Sequence, residues 1–560
     1  MRGTLIALVL AATATACARP PAGTLRFKPQ EPVWKVDDAV TLEKAPKERV
    51  YNRTLYHLDG FVVRRVTRAM DLPDKGRAQD VNSIDEVPDS TWFTNRIGVR
   101  DVTIDEIRKG PNEHPSPFDN LPVTITGAKE GGTAIGFVVE DARRAKYLLK
   151  FDVKGVPEME TAAHVIGHRI LWAAGYNVPE DHVGYLTKDQ IEVDPEAKLK
   201  DMFGKKTPLT WDRVNRALDM VEKTPDGKIR VLLSRFVPGK PIGPYAREGT
   251  RGDDPNDRIA HEKRRSVRGQ VPLFSWLAHT DLQEDNTLDA FVPASAEKGE
   301  KRGHVVHYLI DFGKALGVMN NSNNWKTVGY TYRIDLAASL ATFLTLGTWD
   351  RPWDNIEQPP YKGVAVFESD HFDPSRWKPN SIYWPFEDAD KFDGFWGAKI
   401  AMRFTPELLA AVIDEAKLTD PGARRYLLET LIKRQRILGR YWFGKVTPLD
   451  RFAVTLETTG AVTLCFDDLE QLHGFTEERL AYRVDVFDYA GKRLAAKPAL
   501  YMATSRGRAC YANLPLGAAR DGYTIVKLAA MRGGSTRPAV DVHLSRIAGG
   551  KLAVIGLRRH

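Results

Sequence analysis

Two short segments of the sequence place acidic and amide side chains where an apolar pattern has just ended. The first is His279-Thr280-Asp281-Leu282-Gln283-Glu284-Asp285-Asn286-Thr287-Leu288, and the second is Asp311-Phe312-Gly313. A carboxylate such as Asp281 can accept or orient the proton of a nucleophile. The side-chain oxygens of Asn286 and Asp311 are the hard ligands that Mg²⁺ prefers. If the two loops face one cleft, they carry the groups that phosphoryl transfer needs.

In this order, each after the right kind of element, the two segments resemble the catalytic loop and the metal-binding Asp-Phe-Gly turn of protein kinases. The resemblance implies an ATP-dependent phosphotransferase in which Asp281 is the base and Asn286 and Asp311 hold Mg²⁺. Taken singly, each segment also fits a helix cap or a turn at the end of a strand. The resemblance covers roughly residues 123–445.

Two charged residues upstream fill further positions of the same family pattern. Lys150 stands at the end of a predicted strand, where kinases keep the lysine that contacts the α- and β-phosphates; a strand lysine reaching to solvent is the alternative. Glu160 opens the next helix, where kinases keep the glutamate that pairs with this lysine, and Glu158 is the competing choice. We prefer Glu160 because the rest of that helix then matches bacterial toxin-type and spore-coat-type kinases.

The remaining nucleotide contacts are predicted from a glycine-rich turn and a strand. Gly131 and Gly136 fit the outer positions of the G-x-G-x-x-G loop that covers the phosphates, and Gly132 adds a further glycine between them, but Thr133 replaces the middle glycine. Its side chain limits how closely the backbone approaches a phosphate. Ser234 and Phe236 are expected to present backbone groups to the adenine.

Two departures from the kinase pattern bear on regulation. Thr280 replaces the arginine that normally reads phosphorylation of the activation loop, and no Ala-Pro-Glu triplet follows Asp311-Phe312-Gly313. The resemblance therefore implies a site without a phosphorylation switch, which docks its acceptor differently from eukaryotic protein kinases.

The hydrophobic periodicity predicts an α+β protein with an N-terminal helical extension and a C-terminal all-β sandwich. The resemblance to protein kinases implies a two-lobed protein-kinase-like fold for the part between them. A helix is predicted over residues 159–174, ended by Gly175, and five strands are predicted after Thr447. The predicted segments are a signal peptide (1–17), a tether (18–44), an extension (45–122), the kinase-like domain (123–445) and the β-sandwich (446–560).

The first seventeen residues resemble a bacterial lipoprotein signal. Arg2 precedes the apolar stretch Leu5–Ala14, and the small residues Ala14-Thr15-Ala16 precede Cys17. The resemblance implies lipidation of Cys17, although the family prefers a leucine where Ala14 stands, and cleavage by ordinary signal peptidase is the alternative. Either outcome predicts export, and lipidation would anchor the protein in the cell envelope of a bacterium.

The other two cysteines are Cys465 and Cys510, both in the strand-rich C-terminal part. Export permits a disulfide between them. A pair of buried free thiols is the alternative, because the sequence does not show whether the two residues come within bonding range.

Composition narrows the function less than the motifs do. The net charge of +8 over 560 residues is a mild excess, and no long arginine block indicates binding to nucleic acid. The first hypothesis is a phosphotransferase that uses Mg²⁺ and ATP on an unknown protein or small-molecule hydroxyl. The alternatives are a catalytically silent envelope scaffold with the same fold, and transfer of the adenylyl group, which needs the same residues.

Overall fold

The computed structural model describes residues 25–70, 76–129, 135–200, 205–297, 299–319, 322–476, 481–501 and 507–560. The chain divides into two compact units. The C-terminal unit comprises residues 25–33, 82–86 and 446–560, and the central unit comprises residues 34–81 and 87–445. The predicted signal segment and Cys17 lie outside the described residues. Within the described ranges, no helix combines the length and the apolar character needed to cross a bilayer.

The prediction of a tether over residues 18–44 is wrong for its described part, because residues 25–44 belong to the folded units. Phe27 packs its ring 4.8 Å from that of His543 in the C-terminal unit. In the central unit, Leu42 pairs with Gly303 by backbone hydrogen bonds. The side chains of Phe27 and Leu42 also pack against buried apolar clusters, and the segment is therefore not a free linker.

The central unit holds one large sheet, in the order β4-β7-β3-β2-β1-β5-β6, and a small sheet in the order β10-β9-β8. All pairs in the large sheet are antiparallel except β1 with β5. The strands are β1 (Val123–Ala128), β2 (Gly136–Glu140), β3 (Lys146–Phe151), β4 (Asp181–Leu186), β5 (Ile191–Lys200), β6 (Lys206–Pro208), β7 (Ile229–Arg235), β8 (Lys240–Pro241), β9 (Thr287–Pro293) and β10 (Gly303–Leu309).

Twelve α-helices of the central unit are described, and most lie after the large sheet in sequence, which makes the class α+β. They are α1 (Arg53–Leu58), α2 (Arg64–Met70), α3 (Ile104–Lys109), α4 (Met159–Ala174), α5 (Trp211–Leu218), α6 (Arg265–Arg268), α7 (Gln270–Trp276), α8 (Leu336–Leu344), α9 (Trp384–Glu387), α10 (Lys391–Ala401), α11 (Pro406–Glu415) and α12 (Pro421–Phe443).

The large sheet buries both of its faces, as the side chains of β7 show. Val231 and Leu233 belong to the apolar core that includes α5, whereas Leu232 belongs to the core that includes α4 and the later helices. This alternation follows from the period of two along a strand. The sheet is therefore held between α5 on one side and the helical part of the unit on the other.

Helix α4 has the predicted bounds, and both of its ends are fixed by specific contacts. The buried carboxylate of Asp152, just after β3, accepts the backbone N–H groups of Glu160 and Thr161 at 2.9 and 3.0 Å. Such a bond satisfies donors that the first turn of a helix leaves free. Gly175 ends the helix at φ +131°, and a Cβ there would collide with the ring of Phe93. These contacts hold the start of α4 against the strand that carries Lys150.

The C-terminal unit contains two antiparallel sheets, β11-β12-β15 and β14-β13-β16-β18-β19, that share one apolar core. Cys465 and Cys510 are cross-strand neighbours in β12 and β15 and form a disulfide. The elements are β11 (Leu449–Leu456), β12 (Val462–Asp468), β13 (Ala481–Asp488), β14 (Arg493–Tyr501), β15 (Arg508–Tyr511), β16 (Thr524–Arg532), β17 (Ser535–Thr536), β18 (Val540–Arg546), β19 (Leu552–Arg559) and α13 (Leu469–Leu472).

Candidate functional site

A cavity of about 1000 Å³ in the central unit collects most of the predicted site residues. It lies between the large sheet and the loops that follow α7 and β10. Seven of the residues chosen from the sequence line it, namely Lys150, Glu160, Ser234, Phe236, Asp281, Asn286 and Asp311. Residues far apart in the chain therefore converge on one space.

The predicted glycine contacts are not part of the described cavity wall. Gly131 and Gly132 lie outside the described residues. Gly136 belongs to β2, opposite Lys150 in β3, and is not among the lining residues. A Cβ at Gly136 would lie 2.7 Å from the carbonyl oxygen of Leu149 and 3.2 Å from Cδ of Lys129. This glycine thus makes room for the neighbouring strand and for Lys129, which lines the cavity instead.

Lys150 and Asp311 form an ion pair at the centre of the cavity, with Nζ 2.7 Å from Oδ1. Only 4% of the lysine side chain is exposed, against 32% of the aspartate side chain. Burial alone would lower the pKa of Lys150, but the carboxylate of Asp311 outweighs it, so the pKa of the lysine is raised. Burial would likewise raise the pKa of Asp311, but the Lys150 ammonium, with that of Lys129, holds it well below its usual range. Both partners are therefore charged over the whole physiological range.

Asp281 and Asn286 are locked to each other across the loop after α7. The side-chain amide of Asn286 donates to the backbone carbonyl of Asp281, which leaves its own Oδ1 as an acceptor. Gln283 donates to Oδ1 of Asp281 at 2.6 Å and fixes the orientation of this carboxylate. The loop thus presents a positioned carboxylate and a positioned amide oxygen to the same space.

The small sheet sets the separation between Asn286 and Asp311. The ladder of β9 and β10 ends with Thr287 opposite Leu309, so the two candidate metal ligands follow at the same end. The backbone N–H of Ile310 also donates to the carbonyl of Asn286 at 3.0 Å. Asp311 itself has φ +59°, a left-handed conformation that aspartate tolerates better than most residues.

The predicted ion pair between Lys150 and Glu160 is wrong in this structure. Glu160 instead accepts from Nζ of Lys314 at 2.9 Å, while Lys150 is held by Asp311. The reason is the close packing of the Asp-Phe-Gly turn: a Cβ on Gly313 would lie 2.9 Å from Cγ and Oε1 of Glu160. That proximity brings the next residue, Lys314, within reach of the glutamate. The attraction of Glu160 still contributes to the raised pKa of Lys150.

Of the two glutamates considered, Glu160 lies in the cavity wall and Glu158 is engaged elsewhere. Glu158 lies just before α4 at φ +64°, and its Oε2 accepts the backbone N–H of Thr419 at 2.9 Å. It is not among the residues that line the cavity, whereas Glu160 is. Glu158 therefore ties the helical part of the unit to the start of α4.

The backbone donors expected after Ser234 are already engaged within the sheet. Ser234 pairs with Leu148 on one side and Asp181 on the other. The backbone N–H of Arg235 donates to the backbone carbonyl of Glu180 at 2.8 Å. The backbone N–H of Phe236 donates to the backbone carbonyl of Lys146 at 3.0 Å. These N–H groups are therefore not available to an adenine, although Ser234 and Phe236 do line the cavity. The expectation that backbone groups of this segment contact the adenine stays a prediction.

Aromatic rings behind the cavity support the Asp-Phe-Gly turn. Phe312 is buried, with its ring 5.3 Å from that of His164 and 6.2 Å from that of His279. His279 stacks on Phe274 at 4.8 Å. Burial lowers the pKa of His279 to about 4, so the imidazole is neutral near pH 7. Phe312 and His279 thus anchor both loops in the apolar core.

The cavity is also lined by charged residues to which the sequence reasoning gave no role. On the sheet side they include Lys129, Lys198 and Lys206, the last two from β5 and β6. Beside the loop that carries Asp281 they include Arg53 and Asp285. Asp285 directly precedes Asn286 in the motif, and this adjacency was the sequence feature that could have indicated a place in the cavity wall. The local pattern carries no signal for the lysines of β5 and β6, which enter through a parallel pairing with β1.

Asp285 is an unsatisfied carboxylate in the cavity wall. Its Oδ1 is buried with no hydrogen-bond partner in the described part of the chain, and its Oδ2 lies 4.0 Å from Nε of Arg53. Burial raises the pKa of Asp285, Arg53 opposes this shift and the charge of Asp281 adds to it, which together place the pKa at about 6. The hydroxyl of Tyr51, which lines the same cavity, is also buried without a partner.

The chemistry of the donor set fits a Mg²⁺ ion that arrives with a nucleotide. Among the described residues, no group of three or more His, Cys, Asp or Glu side chains is placed to hold a metal ion alone. Asn286 and Asp311 offer one amide oxygen and one carboxylate. Mg²⁺ is commonly bound by one or two carboxylates, with phosphate oxygens and water completing its octahedron.

The comparisons with known proteins give weak structural similarities. No family model matches the chain, and no curated protein matches it. Among solved structures it is similar to the Golgi casein kinase with Mn and ADP bound, at 11% identity and a TM-score of 0.29, over 60% of this chain and 74% of that chain. A second structure of the Golgi casein kinase gives 9% identity and a TM-score of 0.29, over 62% and 84%. Similarity at this level carries no argument about this chain, and the site residues above are assigned from their geometry alone.

Proposed function

We propose that this protein is a phosphotransferase that moves the γ-phosphoryl group of ATP, with Mg²⁺, to a hydroxyl acceptor. The observation that carries the proposal is the convergence of the Lys150–Asp311 ion pair with Asp281 and Asn286 on one cavity. A two-lobed kinase-like arrangement of the central unit, with a β-sandwich as the C-terminal unit, is part of the same proposal.

In this mechanism the chain's residues position the reactants and manage charge. Lys150 and the neighbouring Lys129 would neutralise phosphate oxygens, since both ammonium groups line the cavity. Asn286 and Asp311 would hold the metal ion, which offsets the charge of the triphosphate when it is bound. Asp281 accepts the proton of the acceptor hydroxyl. At the same time the hydroxyl oxygen bonds to the γ-phosphorus, and the bond from this phosphorus to ADP breaks.

Binding of the nucleotide is tested by thermal shift of the full chain with Mg-ATP. We expect a rise in the melting temperature that is lost in Asp311→Asn and Lys150→Met, since ligand at about 100 times its Kd adds roughly 2.7 kcal/mol. Matched controls are Asp212→Asn and Lys146→Met, which alter exposed residues outside the cavity. No shift with any nucleotide would favour the catalytically silent scaffold.

Transfer is tested with ATP labelled at either the α or the γ position. We expect γ-label in the acceptor and α-label in ADP, and we expect Asp281→Asn to abolish transfer while it keeps nucleotide binding. Transfer of α-label would identify adenylyl transfer instead. Transfer that persists in Asp281→Asn would refute the role of this residue as the base.

We further propose that the protein is exported and lipid-anchored in a bacterial envelope through Cys17. The proposal is supported by the order of Arg2, the short apolar stretch and the small residues before the cysteine. Incorporation of a labelled lipid precursor is expected in the expressed full chain and not in Cys17→Ser. A secreted but unlabelled protein would mean cleavage without lipidation.

A further inference from the structure

One side of the cavity is walled by a segment that lies well before the large sheet in sequence. Tyr51 and Arg53 line it together with Asp281 and Asp285. The segment is fixed just before these residues, because Arg49 forms a 2.7 Å ion pair with Glu284. The cavity wall beside the proposed base Asp281 is thus formed by this N-terminal segment.

The same segment is held on the far side of Arg53 as well. The carboxylate of Asp59 accepts from the guanidinium of Arg247, and the ring of Tyr56 packs beneath that guanidinium at 4.4 Å. The backbone N–H of Arg49 also donates to Ile242 at 2.9 Å. An extended peptide cannot take the place of this wall without breaking these contacts.

The wall leaves a donor and an acceptor that the protein does not satisfy. In the described residues, neither Oδ1 of Asp285 nor the hydroxyl of Tyr51 has a hydrogen-bond partner, although both atoms are buried. Arg53 and Asp285 approach to only 4.0 Å, which is longer than a hydrogen bond, so N–H donors of Arg53 are available. Buried polar groups are normally paired, so the two unpaired groups of Asp285 and Tyr51, beside the available donors of Arg53, indicate a ligand.

The character of these groups selects the ligand. A carboxylate accepts a hydrogen bond, a guanidinium donates one, and a phenol does either, which together match neutral hydroxyl groups. A second anion would meet the carboxylates of Asp281 and Asp285, and a cation would meet Arg53. The face of Tyr51 offers an apolar surface to C–H groups. A cavity of about 1000 Å³ lies at the upper end of the range of about 300–1,000 Å³ for ligand pockets, which leaves space beside a nucleotide.

We propose that Tyr51, Arg53 and Asp285 form the acceptor subsite for a small neutral polyhydroxylated molecule, a sugar or a polyol. The proposal rests on the phosphotransferase function above and names its substrate class. One hydroxyl of the acceptor faces Asp281, which takes its proton as the O–P bond forms and ADP leaves. The other hydroxyls bind Asp285, Arg53 and Tyr51.

Binding is tested on the full chain by calorimetric titration with D-glucose, D-xylose, glycerol and myo-inositol, with and without a non-hydrolysable Mg-ATP analogue. We expect at least one probe to bind, and we expect Tyr51→Phe and Asp285→Asn each to weaken it by about tenfold or more. The Kd of the nucleotide analogue should stay within about twofold, since neither group is expected to touch the phosphates. Tyr489→Phe and Asp219→Asn, both at exposed positions outside the cavity, are the matched controls.

The outcomes separate this inference from the proposed function. If the nucleotide analogue binds but no probe does, or if a serine peptide is phosphorylated in place of the polyols, the acceptor subsite is refuted and the phosphotransferase function stands. Equal binding of the probe by the wild type and both variants also refutes it. If a probe binds as expected but the analogue does not, the subsite stands and the phosphotransferase function fails.

Discussion

The stability losses from removing Lys150 and Asp311 should not be additive. Removal of one partner from a fully buried ion pair costs roughly 3–5 kcal/mol, because the other charge is left unpaired. Here the Asp311 side chain is 32% exposed, and Lys129 also stabilises its charge. We therefore expect Lys150→Met to lower the free energy of unfolding by about 2–3 kcal/mol, less than the full value.

The double variant Lys150→Met/Asp311→Asn leaves no unpaired charge from this pair. We expect its loss of stability to fall short of the sum of the two single losses by about 1–2 kcal/mol, which is the coupling that a double-mutant cycle measures. Lys146→Met is the control on the same strand, with a side chain that is 58% exposed, and should change stability by about 0.5 kcal/mol or less.

Urea unfolding followed by tryptophan fluorescence measures these effects in the central unit alone. All 12 tryptophans lie between Trp34 and Trp442, and the C-terminal unit contains none. Additive losses in the double variant, or a Lys150→Met variant as stable as the Lys146→Met control, would refute the reasoning from a buried pair.

Three further predictions concern the support of the site and the second unit. Asp152→Ala removes the acceptor for the first turn of α4 and should cost the central unit about 2 kcal/mol in the same urea assay; an unchanged midpoint would contradict this. Burial lowers the pKa of His279 to about 4, so the folded state binds fewer protons than the unfolded state, and the stability present above about pH 6.5 is lost as pH falls toward 4. His279→Phe should abolish up to about 3 kcal/mol of that loss, and an identical pH dependence in wild type and variant would argue against a buried neutral imidazole. Reduction of the bond between Cys465 and Cys510, 45 residues apart, should destabilise the C-terminal unit by about 4 kcal/mol on the chain-entropy estimate. Circular dichroism should register this change without an equal change in tryptophan fluorescence, and a Cys465→Ser/Cys510→Ser variant that still responds to reductant would refute the assignment.

Sequence reasoning succeeded where one segment determines its own structure. Helix α4 was predictable from its apolar stripe and from Gly175, whose conformation ends the helix whatever surrounds it. The positions of Lys150 near the end of β3 and of Asp311 just after β10 were predictable, because each follows from the pattern of its own strand. These groups were expected to converge on one cavity because their motifs follow strands and helices in the order that is typical of protein kinases.

The choice of partners within the cavity could not be predicted from the sequence. Lys314 takes Glu160 because Gly313 packs against that glutamate, a packing detail that appears in no spacing. The parallel pairing of β5 with β1 joins segments with other strands between them, and strand patterns do not specify such partners. Asp285 gains its importance only from Tyr51 and Arg53, which come from a distant part of the chain.

The loop that joins β9 to β10 lies at the opposite end of this hairpin from Asn286 and Asp311, so its length does not set their spacing. Asn286 and Asp311 leave the ladder at one end, and residues 294–302 join the strands at the other. Seven residues of strand at about 3.3 Å each put that connection roughly 23 Å from the two ligands. Extra residues or a fluorescent tag inserted there would lengthen the hairpin tip and leave the spacing of the two oxygens unchanged, which makes this tip a practical place to attach a probe.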